Sequence, residues 1–217
     1  MKSDTLSLKV NEIFYSIQGE SSYAGFPCVF IRLTGCNLRC SYCDTTYAYE
    51  EGKRRAVATI INKVKAFACR LVEVTGGEPL LQEGVYPLLD GLIGGGHTVL
   101  IETNGSLSID RINPACVKIV DIKCPGSGMA DRMDWANLKK LTPHDEIKFV
   151  IGDRKDYNWA VGLISKEKLE KRRLHFAPVF GRLKQDRLAE WILKDHLPVR
   201  FQLQLHKYIW PDRMRGV

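Results

Sequence analysis

No stretch of these 217 residues approaches the ~20 apolar residues that a membrane span needs. The opening run from Met1 to Leu6 lacks the apolar core of a secretory signal. Both absences lead us to expect a cytoplasmic protein with no membrane contact. Repeats, low-complexity tracts and Pro/Ser-rich linkers are missing too, and the length suits a single domain over residues 1–217. Cysteine is present but unsuited to a disulfide framework. There are seven, an odd number, and three lie within eight residues. No nucleic-acid motif accompanies the net charge of +7, so direct nucleic-acid contact is not expected.

That charge is uneven. Residues 145–217 carry 16 Lys+Arg against 10 Asp+Glu, whereas residues 1–144 carry 16 against 15. The densest basic run is Lys166, Lys168, Lys171, Arg172 and Arg173. It suits either an acidic protein partner or a solvated helix surface.

Short apolar runs alternate with longer amphipathic ones. Strands are expected at Cys28–Leu33, Leu71–Thr75, Thr98–Glu102, Val117–Ile122, Glu146–Ile151, Leu174–Pro178 and Phe201–Leu205. Helices are expected at Val57–Ala68, Val85–Ile93, Trp135–Leu141, Tyr157–Lys168 and Lys184–Lys194. The alternation predicts a parallel α/β sheet. The chain is short for eight βα units, which typically need ~250 residues, so an incomplete, open barrel of about six units is expected. Polar motifs fall at successive strand ends, where ligands gather in such folds.

The most specific motif is CNLRCSYC, with Cys36, Cys40 and Cys43 spaced C-x3-C-x2-C and no fourth cysteine nearby. A closed structural zinc site takes four protein ligands. Three soft thiolates on one loop suit a cubane iron–sulfur cluster with one iron left open. A three-cysteine zinc site with a distant histidine is the alternative. Cys28, Cys69 and Cys116 read as buried small hydrophobes.

At this point the chain resembles the radical S-adenosylmethionine (SAM) superfamily. The resemblance implies a radical SAM barrel, a 4Fe–4S cluster and SAM chelated by the open iron. Tyr42 would pack by the adenine. TGGEP, with Gly77 and Glu78, would hold the SAM amino group, although a helix-start role for Glu78 is equally readable. Cys43, Asp44, Asp121, Ile122 and Lys123 would complete the SAM contacts, with Ala177, Pro178 and Val179 at another such loop. Glu102-Thr-Asn-Gly105 also resembles a SAM-contacting loop; capping and turn chemistry are its alternative.

The combination of IFYSIQGE, CNLRCSYCDT, TGGEP, ETNG and HKY narrows the likeness to the 7-carboxy-7-deazaguanine synthase family, over residues 9 to 208. The resemblance implies a lyase that turns 6-carboxy-5,6,7,8-tetrahydropterin into 7-carboxy-7-deazaguanine with loss of ammonia. Ile17, Gln18, Gly19, Glu20 and Thr75 would meet the substrate, and Arg32 would pair with its carboxylate. His206 would join them, or stand as a strand-end histidine. Thr45 would bind Mg2+, where a helix cap is its alternative. The family likeness also implies a homodimer, and cluster reduction calls for a flavodoxin or ferredoxin as electron donor. The chain departs from the family pattern at Cys124 and Gly126. Nine residues follow Tyr208, so the terminal carboxylate of members that end there is not carried over. A glycyl-radical activating enzyme shares the cluster and SAM loops but not Arg32 and its neighbours. A zinc module binding RNA through the basic third is a further competitor.

Overall fold

Alternating side chains decide how these strands pack, because successive residues face opposite sides of a sheet. A computed structural model describes residues 6–217. It contains a nine-stranded sheet: β1 (Ser7–Ile17), β2 (Pro27–Leu33), β3 (Lys53–Ala56), β4 (Leu71–Gly76), β5 (Thr98–Thr103), β6 (Val117–Ile122), β7 (Glu146–Ile151), β8 (Arg173–Pro178) and β9 (Arg200–Phe201). Their order is β3-β1-β2-β4-β5-β6-β7-β8-β9. From β2 through β4 to β9 neighbours run parallel, while β1 is antiparallel to β2 and β3. The helices are α1 (Val57–Lys65), α2 (Val85–Gly94), α3 (Arg154–Lys166), α4 (Gln185–Lys194) and the short α5 (His206–Ile209). No described helix is long and apolar enough to cross a membrane.

One face of the parallel strands presents Val29, Ile31, Val72, Val74, Ile101, Val120, Ile147, Phe149 and Phe176, all in one buried cluster. The helices close over it with Ile60, Leu88, Leu92, Tyr157, Ile164 and Leu188. Each fully buried side chain of this size contributes roughly 1.5–3 kcal/mol. Tyr157 packs edge-on against Phe176 and Trp191, at ring-centroid distances of 5.9 and 5.4 Å, and its hydroxyl donates to Asp195 at 2.8 Å. The opposite, inner face has a small apolar floor of Cys28, Phe30, Leu71, Leu100, Val117 and Ile119. Above that floor it turns polar.

The sheet does not close on itself. Its open seam is filled by the loop between β1 and β2. Ser21 N–H donates to Gln202 Oε1 at 2.7 Å, Ser22 N–H to Glu146 at 2.9 Å, and Leu205 N–H to Gly19 O at 3.1 Å. Ser21 adopts φ +64° to make this turn.

Of the seven parallel strands, β2 and β4–β8 are the six expected for an open barrel, and the short β9 and the antiparallel β1 and β3 extend it. Two expectations need correction. Trp135–Leu141 forms a 3-10 helix over Trp135–Lys139, because Trp135, Leu138 and Leu141 recur every three residues and the segment is too short to choose an α-helical period. Phe201–Leu205 is not a strand. Only Arg200–Phe201 pairs with β8, and the chain then turns into α5, so His206 opens a helical turn.

Candidate active site

The cysteine loop leaves β2 through Gly35, at φ +101°. Cys36, Cys40 and Cys43 are free thiols of intermediate burial, and all three line a cavity of about 640 Å3 at the carboxyl ends of the strands. Arg39 Nη1 donates to the carbonyls of Cys36 and Leu38, each at 2.8 Å, which fixes the loop backbone. Cys36 Sγ accepts from Leu38 N–H at 3.4 Å and lies 3.7 Å from the Asn104 amide. Ser41 ties the loop to the turn after β6, donating from its hydroxyl to Gly126 O at 2.7 Å and from its N–H to Ser127 O at 3.0 Å. That turn is held by the buried Asp156 of α3, which accepts from Gly126 N–H at 2.7 Å. A Cβ on Gly126 would stand 2.5 Å from Asp156, so glycine belongs at this departure from the family pattern. Cys124, beside it, is buried in the outer core. Among the described residues, no three His, Cys, Asp or Glu side chains converge on a point that could hold one metal ion.

The TGGEP segment runs directly against this loop. A Cβ on Gly77 would lie 2.1 Å from Gly35 O and 2.8 Å from Cys36 Cβ, so only glycine lets the two backbones meet. Glu78 N–H donates to Gly35 O at 2.8 Å. The Glu78 side chain does not line the cavity. Buried behind it, the carboxylate accepts from Thr103 Oγ1 at 2.9 Å, Asn104 N–H at 2.7 Å and Leu80 N–H at 2.9 Å. Burial pushes its pKa up to about 7 against the pull of these bonds. Glu78 therefore buckles the ends of β4 and β5 together and starts the turn at Pro79.

Of the other expected SAM residues, Tyr42, Asp44, Asp121, Lys123 and Val179 line the cavity with Gly77. Tyr42 donates to Val150 O at 3.3 Å. Lys123 Nζ bonds Asp121 Oδ2 at 2.7 Å, while Asp121 Oδ1 is buried with no partner. Ile122, Ala177 and Pro178 do not line it, and Ile122 packs into the outer core.

Every expected substrate residue lines the same cavity: Ile17, Gln18, Gly19, Glu20, Arg32, Thr75 and His206. Arg32 Nε is held by Glu12 at 2.8 Å, and Tyr47 donates to the same carboxylate at 3.1 Å. No bond to the two terminal nitrogens of Arg32 occurs among the described residues. The Gln18 side chain is committed, with Nε2 donating to Glu73 and Oε1 accepting from Glu20 N–H at 3.1 Å. It latches the β1–β2 loop rather than presenting a free amide. A Cβ on Gly19 would meet His206 Nδ1 at 2.5 Å, and burial pulls the pKa of His206 below its ordinary value. Thr45 donates to Asp44 Oδ1 at 3.0 Å, leaving its lone pairs available, and Asp44 is paired with Lys207 at 2.6 Å.

Several cavity residues were not anticipated. Lys148 joins Glu20 and Glu102 at 2.8 and 2.7 Å. Glu73 lies deep in the wall, its pKa pushed up to about 8 by burial and by Glu102 and Glu20, which the Gln18 bond only partly offsets. The signal was present: charged residues recur two apart in otherwise apolar strands, at Asp121 and Lys123 and at Glu146 and Lys148. Val217 also lines the cavity, and Gly216 N–H donates to Glu12 at 3.1 Å, so the residues after Tyr208 return to the site.

A family model described as Radical SAM superfamily matches residues 30–124, from β2 through the cysteine loop to the end of β6. The fold and the thiol loop thus define a radical SAM protein, which implies a 4Fe–4S cluster and SAM. Over 214 residues the chain is 50% identical to the 7-carboxy-7-deazaguanine synthase of Chlorobaculum tepidum, covering 97% of both. It is 43% identical to that of Koribacter versatilis, covering 97% of this chain and 100% of the other. The crystal structure of QueE from Escherichia coli shares the fold, with a TM-score of 0.76 at 24% identity over 94% of this chain and 99% of that one. The chain belongs to the 7-carboxy-7-deazaguanine synthase family. These relatives do not favour the activating-enzyme reading.

Proposed function

We propose that this chain, acting as one domain, converts 6-carboxy-5,6,7,8-tetrahydropterin into 7-carboxy-7-deazaguanine with loss of ammonia. The observation that carries this reading is the shared cavity, with three thiols and Arg32, Glu20 and His206 all in its walls. Its volume of about 640 Å3 falls within the range of small-molecule sites. The donor set fits the cluster, being three soft thiols free of disulfides on one backbone-clamped loop. When bound, the cluster supplies the one-electron reduction of SAM that begins radical chemistry.

The chain's own residues bind and orient. Cys36, Cys40 and Cys43 hold the cluster. The bare backbone at Gly77 leaves space for SAM beside that loop, and the unpartnered oxygen of Asp121 awaits a donor. Arg32, already aligned by Glu12, offers its terminal nitrogens to the substrate carboxylate as a planar fork. Gln18 fixes Gly19 and Glu20 against the substrate through the loop backbone. Thr45 contributes a hard oxygen to Mg2+, whose other ligands would be substrate oxygens and water.

We infer further a cytoplasmic homodimer reduced by a flavodoxin or ferredoxin. The basic run at 166–173 is a poor docking site for that donor. It lies at the start of β8, the end of the barrel away from the thiols, and a six-residue strand spans about 20 Å. Arg39, exposed on the cysteine loop itself, suits an acidic donor better. Sedimentation of the purified protein tests the dimer.

The decisive experiment is anaerobic incubation of reconstituted protein with SAM, dithionite and the carboxy-tetrahydropterin, with products analysed by mass. A product lighter by one ammonia is expected. Formation of 5′-deoxyadenosine with the pterin unchanged would refute the substrate assignment.

A further inference from the structure

A lysine in the middle of a buried strand is an expensive residue, since its ammonium must find partners that replace water. Lys148 is 6% exposed. Its Nζ donates to Glu20 Oε2 at 2.8 Å and to Glu102 Oε1 at 2.7 Å, and stands 4.0 Å from Asp121 Oδ2. These three carboxylates come from the β1–β2 loop, from β5 and from the end of β6. Glu20 and Glu102 both border the large cavity. Thr75 completes the arrangement by donating to Glu102 Oε2 at 3.2 Å. Among the described residues the Glu20 side chain has no other partner: its Oε1 is buried and unpartnered, and its loop is the one that fills the seam of the sheet.

We propose that Lys148 is a positioning residue: its ammonium ties Glu20 of the seam loop to Glu102 of β5 and so sets the spacing of two carboxylates facing the substrate. This rests on the pterin reading above. The ligand edge such a pair suits is the row of N–H donors on a 2-aminopyrimidinone ring, which complements carboxylate oxygens much as a guanidinium does. Lys148 acts through the acids, so its loss should be felt far more by the pterin than by SAM, because Asp121 keeps its closer partner Lys123 at 2.7 Å.

The charge of the pair depends on the same ammonium. Burial alone would push Glu102 up, but Lys148 and, more weakly, Lys123 outweigh it and hold the carboxyl below its ordinary value. The other groups facing this point are Asp121 of β6, Glu73 and Thr75 of β4, His175 of β8 and Glu20 itself. The ionised acids among them, Glu20 and Asp121, oppose ionisation of Glu102, and the protonated Glu73 does not.

The test is Lys148→Met in the reconstituted enzyme. KM for the carboxy-tetrahydropterin should rise at least about tenfold, with kcat and the Kd for SAM changed far less. The loss should deepen as pH falls, because the buried Glu102 takes up a proton more readily without its counter-charge. A purely structural lysine gives no such pH-dependent KM. Glu20→Gln combined with Lys148→Met removes the ammonium and one of its two acids and closes a cycle with the single variants; if Lys148→Met folds poorly, Lys148→Arg, which keeps the charge and alters the spacing, carries the test and should still raise KM for the pterin. That double variant should be no worse in KM than the two single losses overlapping, not adding. Wild-type KM in Lys148→Met, or strictly additive effects, overturns the proposal. Failure of the wild type itself to bind and convert the pterin overturns the substrate reading instead, and the proposal with it.

Discussion

Phe149 and Lys148 are adjacent in β7 and sit in opposite media. Phe149 points outward, its ring centroid 5.4 Å from that of Phe176, under a layer of helices. Lys148 points inward among Glu20, Glu102 and Asp121. The same contrast runs along β4, where Val72 and Val74 alternate with Glu73 and Thr75, and along β6, where Val120 and Ile122 alternate with Asp121 and with Lys123 just past the strand. The outer face needs apolar volume and tolerates exchange of one hydrophobe for another of similar size. The inner face gives up that stabilisation. Its charges persist only because each is paired, and a partner's removal leaves a buried ion uncompensated. Stability therefore resides mainly on one side of these strands and chemistry on the other.

The separation is broken most severely at the rim. Cys40→Ala should abolish cluster retention and 5′-deoxyadenosine formation while leaving the urea midpoint of the cluster-free protein unmoved. Full SAM cleavage in a variant lacking iron would reject the thiol assignment. On the outer face the pattern should invert. Phe149→Ala should cost about 3–5 kcal/mol in urea unfolding with substrate KM unchanged in the folded fraction. A cost below about 1 kcal/mol would mean that the outer cluster is not the core.

Glu73 sharpens the contrast, because it is an inner-face acid that the fold keeps protonated. Its folded pKa, about 8, lies above the ordinary carboxyl value, so the folded chain holds a proton that the unfolded chain releases. That stability is complete below the unfolded value and is lost as pH rises through about 8. Glu73→Gln keeps the bond with Gln18 and does not titrate. Its stability relative to wild type should climb between about pH 5 and pH 8, by up to roughly 3 kcal/mol. Urea midpoints at the two pH values decide this, and a constant difference counts against a protonated Glu73. The smallest effect is expected at the basic run. Reversing Lys168, Lys171 and Arg172 should leave flavodoxin-driven and dithionite-driven turnover in their wild-type ratio. A selective loss with flavodoxin would return the docking site to that end of the barrel.

Much of the fold was legible because the outer face writes itself as short apolar runs, and the parallel strands fall where those runs are. β1 escaped as a strand because it lies outside the parallel set, is mixed in polarity and carries an irregularity between Val10 and Glu12 that spoils its period. Gln202 and Gln204 sit in what reads as an apolar strand, yet Gln202 is turned inward to serve Ser21. The cysteine loop and the strand-end motifs were readable from spacing and likeness. The web joining Glu12 to Arg32, Gln18 to Glu73 and Lys148 to Glu20 was not, since it depends on which inward side chains the curvature brings together. Glu78 shows the limit most clearly. Its motif pointed to the ligand, whereas its carboxylate faces Thr103 and Asn104 behind the wall.

The seam-filling loop has a consequence for the order in which a growing chain acquires its shape. Ser21 waits for Gln202, 181 residues later, Glu20 for Lys148, 128 later, and Asp44 for Lys207, 163 later. Contacts of such separation are late events in folding. A chain still emerging from the ribosome therefore displays its three thiols on a half-built sheet long before any pocket encloses them. Pulse-labelled hydrogen exchange would show this as amides of Ser21 and Ser22 gaining protection together with β9, well after those of β2 and β4.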